Sequence, residues 1–298
     1  MRTPPALSKG DTIAIAAPAR KISMEELQPA LRFIEDQGFK IKVDNTVFKQ
    51  FHQFAGTDAE RAYHFQNLLD DPEVKAILCA RGGYGAMRMI GGLDFSKFIL
   101  NPKWIIGYSD ITVIHARILQ SGIESLHATM PINFNRNTPE TLQSLLDVLQ
   151  NKPVHYTIGN HLLNRTGIAT GQLAGGNLSI LYSLAGSSDF PDMRGKILFI
   201  EDLDEYLYHI DRMILSLKRM GVFEQLSGLI VGGMEDMRDN AIPFGKNAEE
   251  IIAEHIEEYD FPVCFGFPSG HLPDNRALVL GRNYQLKVID KVEFDEIE

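Results

Sequence analysis

The stretch "WIIGYSDITVIHARILQSG", residues 104–122, changes its hydrophobic period part-way along. "WIIGYS" reads as a buried strand, and "DITVIHARILQSG" spaces its apolar residues as a helix does. The same succession recurs upstream. "TIAIAAP" (12–18) reads as a buried strand, and "SMEELQPALRFIEDQG" (23–38) as a helix with a Ser23/Glu26 capping box and a stop at Gly38. "FKIKVD" is a second strand, Thr57 with Glu60 opens a second capped helix, and "VKAILCA" (74–80) and "IESLHA" (123–128) are further strands. Alternation of this kind predicts a parallel sheet with helices on both faces, and ligands of such sheets collect at the carboxyl ends of the strands. "RGGYG" (81–85) and "YSD" (108–110) both fall at such ends.

Beyond residue 150 the texture changes. "NKPVHYTIGNHLLNRTGIATGQLAGGN" (151–177) is rich in Gly, Asn and Thr. The expected organisation is an N-terminal α/β domain over 1–150, a linker over 151–170 and a C-terminal, mainly β (mixed α/β) domain over 171–298. That second domain contains "KILFIEDLDE", the helical "YLYHIDRMILSLKRMG", "LSGLIVGGM", the helical "AEEIIAEHIEEY", "PVCFGF", and a β-rich end that looks antiparallel or mixed.

Composition narrows the function. The chain has 298 residues, 44% of them hydrophobic and 23% charged, with a formal charge of −10 and no basic stripe for a phosphate backbone, so nucleic acid is not an expected partner. Cys79 and Cys264 sit in apolar runs without a CxxC spacing and read as buried thiols. The N-terminus lacks the pattern of a signal peptide and no run reaches the length of a membrane span, which predicts a cytoplasmic protein with no membrane partner.

Ser109 stands where a strand feeds a helix, so an oxyanion beside it would meet backbone N–H donors and the positive end of a helix. The alternative is a helix cap, and the G-x-S-x-G elbow motif is not met, because position 111 is Ile. A nucleophilic hydroxyl needs a base and an orienting carboxylate. Of nine histidines, His271 stands out in the Gly/Pro-rich "FGFPSGHLPDNRA", directly after a buried strand; His127 closes a strand and competes, while His115, His209 and His255 lie in helical patterns. For the carboxylate, "KILFIEDLDE" presents Glu201, Asp202, Asp204 and Glu205. These could instead form a cation site or a solvated turn, but neither a calcium-loop pattern nor HExxH is present. "ARGGYGA" matches neither dinucleotide nor nucleoside-triphosphate fingerprints, and its glycines permit close backbone approach to a chain segment or an oxyanion.

Taken in order, "LSKGDTIAIAAPAR", "ARGGYGAMRMI", "IIGYSDIT", "GQLAGGNLSIL", "LFIEDLDE" and "GFPSGHLPDNRALVLG" resemble the LD-carboxypeptidase family of serine peptidases, which includes microcin C self-immunity peptidases. The resemblance implies a Ser109–Glu201–His271 triad and an oxyanion hole of backbone amides from Asp110 and, in the glycine loop, Gly83. It implies an N-terminal domain carrying the serine, a C-terminal domain carrying Glu201 and His271, an active site between them, and a homodimer. The expected activity is removal of the terminal D-alanine from murein tetrapeptides in cell-wall recycling, with no metal or cofactor. An exopeptidase must also hold a free carboxylate, for which Arg81 is the candidate, with Tyr84 beside it. "LHATMP" (126–131) departs from the His-Gly-Pro-Met common in the family. The alternatives are a microcin-type amidase acting on a peptidyl-adenylate analogue, for which the sole tryptophan, Trp104, reads as core rather than as an adenine platform, a non-catalytic small-ligand binding protein, and an α/β-hydrolase.

Overall fold

The computed structural model describes residues 1–297, which cluster into two compact units. The first comprises Met1–Lys152 together with Pro273–Val279. Its sheet has six strands in the order β11-β5-β4-β3-β1-β2, built from β1 (Thr12–Ala16), β2 (Lys40–Lys42), β3 (Val74–Cys79), β4 (Trp104–Gly107), β5 (Ser125–His127) and, returning from far along the chain, β11 (Leu278–Leu280). The pairs β1–β2, β1–β3, β3–β4 and β4–β5 are all parallel. The sheet's centre is covered on both faces, so Ile13, Ile15, Ile77, Leu78, Ile105 and Ile106 are each at most 2% exposed.

The flanking helices are α1 (Met24–Asp36), α2 (Asp58–Asp70), α3 (Ala86–Met89), α4 (Ser96–Leu100), α5 (Thr112–Gln120) and α6 (Pro139–Leu149). Both predicted capping boxes form: Ser23 Oγ accepts from Glu26 N while Glu26 accepts from Ser23 N, and Thr57 with Glu60 repeats the pattern. Because the strands are parallel, residues 17–20, 80–85, 108–110 and 128–131 all emerge at the sheet's carboxyl edge.

The second unit comprises Pro153–Leu272 and the chain from Leu280 onward. Its seven-stranded sheet runs β10-β9-β8-β7-β12-β13-β6, from β6 (His155–Ile158), β7 (Gly167–Asn177), β8 (Ile197–Leu203), β9 (Gly228–Glu235), β10 (Val263–Cys264), β12 (Asn283–Val288) and β13 (Val292–Glu296). β7 through β10 pair parallel, whereas β12, β13 and β6 form an antiparallel arm. In the arm Tyr284, Leu286, Val288, Val292 and Phe294 are buried and their neighbours are not, the alternation of a one-faced sheet. Helices α7 (Leu178–Leu184), α8 (Leu207–Arg219) and α9 (Ala248–His255) complete the unit.

The stretch 151–170 is therefore not a linker: it holds β6 and the first residues of β7, a strand that pairs with β8 on one side and β12 on the other. Pairing with partners far along the chain overrides the loop-like composition. Among the described residues no helix is long and apolar enough to cross a membrane.

Candidate active site

Ser109 occupies a backbone conformation that L-residues avoid. Tyr108 is extended, Ser109 has φ +62°, and a single 3₁₀ turn over Ser109–Ile111 leads into α5. A non-glycine residue in this region costs on the order of 1–2 kcal/mol and persists only where its surroundings enforce it. Here the enforcement comes from both sides: Gly107 has no side chain, so Ile111 and Cys79 close over the strand end, with a Cβ at 107 falling 2.9 Å from Ile111 Cγ1. Below, the ring of His115 is clamped, Nε2 at 2.9 Å from Gly107 O and Nδ1 at 2.8 Å from Ser125 Oγ. Neither the 3₁₀ turn nor α5 receives a side-chain cap, so the helix-cap role open to Ser109 in the sequence is not used.

The glycine loop lies against this elbow. A methyl at Gly82 would fall 3.1 Å from Ser109 Oγ and 3.3 Å from Asp110 N, so only glycine leaves space beside the hydroxyl and that amide. The loop's far end is held twice: Asp110 Oδ2 accepts from Ala86 N at 2.8 Å, and buried Arg61 donates to Gly85 O at 2.7 Å and to Pro18 O. Asp110 thus does more than place a charge in its own first turn; its carboxylate, whose pKa burial raises, ties elbow to loop.

In the second unit, Glu201 on β8 is fully buried and accepts from His271 Nδ1 at 2.6 Å. That bond fixes the proton on Nδ1 and leaves Nε2 as the basic nitrogen. Burial works to lower the His271 pKa, but the charge and hydrogen bond of Glu201, with Asp202 and Glu235 beyond, raise it overall. Two glycine sites make the pair possible. Gly270, at φ +111°, would place a Cβ 2.8 Å from the Cβ and Oε2 of Glu201. Opposite Glu201, the β8–β9 register slips: Ile200 faces Val231 but Asp202 faces Met234, so Gly232 and Gly233 share one partner. There Ser269 O and Leu272 pack where side chains would stand, 2.4 Å and 2.7 Å from the two Cβ positions.

The remaining acids of "EDLDE" disperse. Asp202, next along the strand and so on the other face, accepts from Asn177 Nδ2 and from the backbone N of Ser179 and Leu203; burial and the neighbouring Glu201 push it up to about 7. Asp204 pairs with Arg238, and Glu205 with His209 at 2.6 Å. His255 meets Asp211 at 2.7 Å, and His127 is buried with its ring 5.7 Å from that of Tyr108.

The LD-carboxypeptidase N-terminal domain model matches residues 13–128, and the LD-carboxypeptidase C-terminal domain model matches residues 170–286. The chain is 36% identical to the probable murein peptide carboxypeptidase of Bacillus subtilis (strain 168), over 97% of this chain and 92% of that one. It belongs to the LD-carboxypeptidase family. The crystal structure of muramoyltetrapeptide carboxypeptidase from Oxalobacter formigenes is similar at a TM-score of 0.88 and 27% identity, over 96% of this chain and 99% of that one. The Escherichia coli microcin C7 self-immunity protein MccF is 28% identical over 92% of this chain and 90% of its own length.

Within this family member the two expected substrate contacts sit apart in character. Arg81 donates to Lys21 O at 3.1 Å and lies 3.8 Å from Glu26; its pKa is lowered by burial first and by neighbouring Arg20 second. Tyr84 is 46% exposed, its ring 6.0 Å from that of Phe54. No motif in the sequence singles out the Gly232–Gly233 pair or Arg61. The pair carried a signal, since two glycines inside an apolar strand mark a bulge or a close backbone approach. These glycines and Leu272, next to His271, also border a cavity of about 540 Å³ that reaches Glu235.

Proposed function

We propose that this protein is a serine LD-carboxypeptidase, with Ser109 as nucleophile, His271 as base and Glu201 as the orienting acid. The observation that carries the reading is that a member of this family holds, in its first unit, a strained, uncapped Ser109 elbow and, in its second, a buried Glu201–His271 hydrogen bond of 2.6 Å. His271 Nε2 takes the Ser109 proton as Oγ attacks the carbonyl of the L,D bond, and Glu201 stabilises the imidazolium. The amides of Asp110 and Gly83 hold the oxyanion, each donor worth roughly 3–4 kcal/mol at the transition state. His271 then protonates the leaving amine, and water releases the acyl-enzyme. No step uses a metal or cofactor.

The substrate is a murein tetrapeptide, a class in keeping with the names of the Oxalobacter and Bacillus relatives; its terminal D-alanine is the group released, and the setting is cytoplasmic cell-wall recycling by a homodimer. The microcin-type alternative is disfavoured by Trp104, which is 1% exposed and donates to Pro5 O at 3.1 Å, as a core residue does. The test is a tetrapeptide panel varying residue three and the chirality of residue four. Release of D-alanine from an L,D bond, lost in Ser109→Ala, supports the reading; release of terminal L-residues, or full activity in Ser109→Ala, overturns it.

A further inference from the structure

Arg81 is the obvious guanidinium near the nucleophile, yet its hydrogen-bonding capacity is partly committed to Lys21 O and Glu26. Arg20 is not so committed. It is exposed, and among the described residues no carboxylate pairs with it. Its backbone is nevertheless rigid, because Ala55 N donates to Ala19 O and Lys21 N donates to Gln53 O on either side of it. Its stem crosses the face of Gly83, close enough that a Cβ there would lie 2.1 Å from Arg20 Cδ and 3.5 Å from Nε. Gly83, at φ +107°, is the neighbour of Gly82, whose α-carbon faces Ser109 Oγ. Arg81 lies near enough to feel the Arg20 charge, and its buried Nε has no hydrogen-bond partner.

Two like charges near enough to repel each other at the glycine loop, one with no carboxylate partner, on a chain of net charge −10, form a site that an anion stabilises. We infer that Arg20 and Arg81 together bind the terminal carboxylate of the peptide substrate, Arg20 supplying the uncommitted fork and Arg81 its buried Nε–H. This inference rests on the carboxypeptidase reading and assigns the contact that makes the enzyme an exopeptidase. Planar bidentate geometry suits a carboxylate, which a lysine at 20 would hold only as a point charge.

The experiment compares one tetrapeptide as the free acid and as the terminal D-alaninamide, with the wild type, Arg20→Met and Arg20→Lys. Methionine keeps an apolar stem over Gly83 and removes the charge. The expected result is a fall in kcat/KM on the acid of roughly 30-fold in Arg20→Met, carried mainly by KM, with the amide changed less than about threefold and Arg20→Lys intermediate. Calorimetric titration of both peptides into Ser109→Ala, with and without Arg20→Met, gives the same ratio without turnover. An acid-to-amide ratio unchanged by Arg20→Met overturns the inference, as does a wild type indifferent to the terminal charge. A wild type that cleaves neither peptide overturns the carboxypeptidase reading and this assignment with it.

Discussion

Acidification should destabilise the first unit through one histidine. His115 is 1% exposed, and its partners fix its tautomer: Gly107 O can only accept, so Nε2 carries the proton, and Nδ1 accepts from the Ser125 hydroxyl. Burial pulls its pKa down to about 4, with the Gly107 hydrogen bond opposing. In the unfolded chain the value returns to about 6.5, so on acidification the unfolded state takes up this proton first. The stability contributed by the neutral ring is complete above about pH 6.5 and is lost as the pH falls toward 4. The full difference corresponds to about 3 kcal/mol, of which about 2 kcal/mol is lost by pH 5. Urea unfolding followed by the fluorescence of Trp104, the sole tryptophan and a buried residue of the same sheet, measures it at pH 7.5 and 5.0. His115→Gln supplies the reference, since its own cost at pH 7.5 cancels in the comparison between pH values. The wild type should lose about 2 kcal/mol more than the variant. Equal losses in the two proteins would refute the claim that a buried neutral imidazole supports the elbow.

Three further outcomes follow from the same geometry. Ser109→Gly should abolish turnover yet raise stability by about 1 kcal/mol, because glycine accepts φ +62° without strain; Ser109→Ala should abolish turnover without that gain, and thermal melts distinguish them. The pH profile of kcat/KM should rise through a pKa above the ordinary histidine value, since the base works only when neutral and Glu201, Asp202 and Glu235 favour its charged form; Glu235→Gln should move that limb to lower pH, and Glu201→Gln should cut kcat by roughly three to four orders of magnitude. Gly82→Ala, whose methyl would stand 3.1 Å from Ser109 Oγ, should lower kcat by roughly 100-fold with little change in urea midpoint; unaltered kinetics would show that space to be idle.

What could be read from the chain was local. Capping boxes at Ser23 and Thr57 involve residues three apart, and the buried strands of the first sheet announce themselves as apolar runs, so those elements appear where the pattern places them. The failures are long-range. β7 looks like a loop because its glycines and threonines carry no apolar run; it is a strand because β8 and β12 pair with it from 24 and more than 100 residues away. Likewise Pro273–Val279 joins the first unit through bonds such as Thr141 Oγ1 to Pro273 O and Ala277 N to Ser144 Oγ, which no window of sequence contains.

The site shows the same division, with one instructive exception. Composition could not rank the four acids of "EDLDE", but the period of a strand could have separated them: successive residues face opposite sides, so Glu201 and Asp202 cannot serve one histidine. Asp202 accordingly turns to Asn177 and Ser179, while Glu201 meets His271. The glycines are harder, because each answers to a crowding partner elsewhere in the chain. Gly82 yields to Ser109, Gly83 to Arg20, Gly232 to Ser269 and Gly270 to Glu201. In every case the partner lies in or beside the proposed machinery. Glycine at these positions is therefore a mark of close approach around the reacting groups, and replacing any of them should damage geometry before it damages folding. Gly10 and Gly245, whose Cβ positions meet nothing within 4 Å, provide the contrast: alanine there should reduce stability through its positive φ alone and leave kcat untouched.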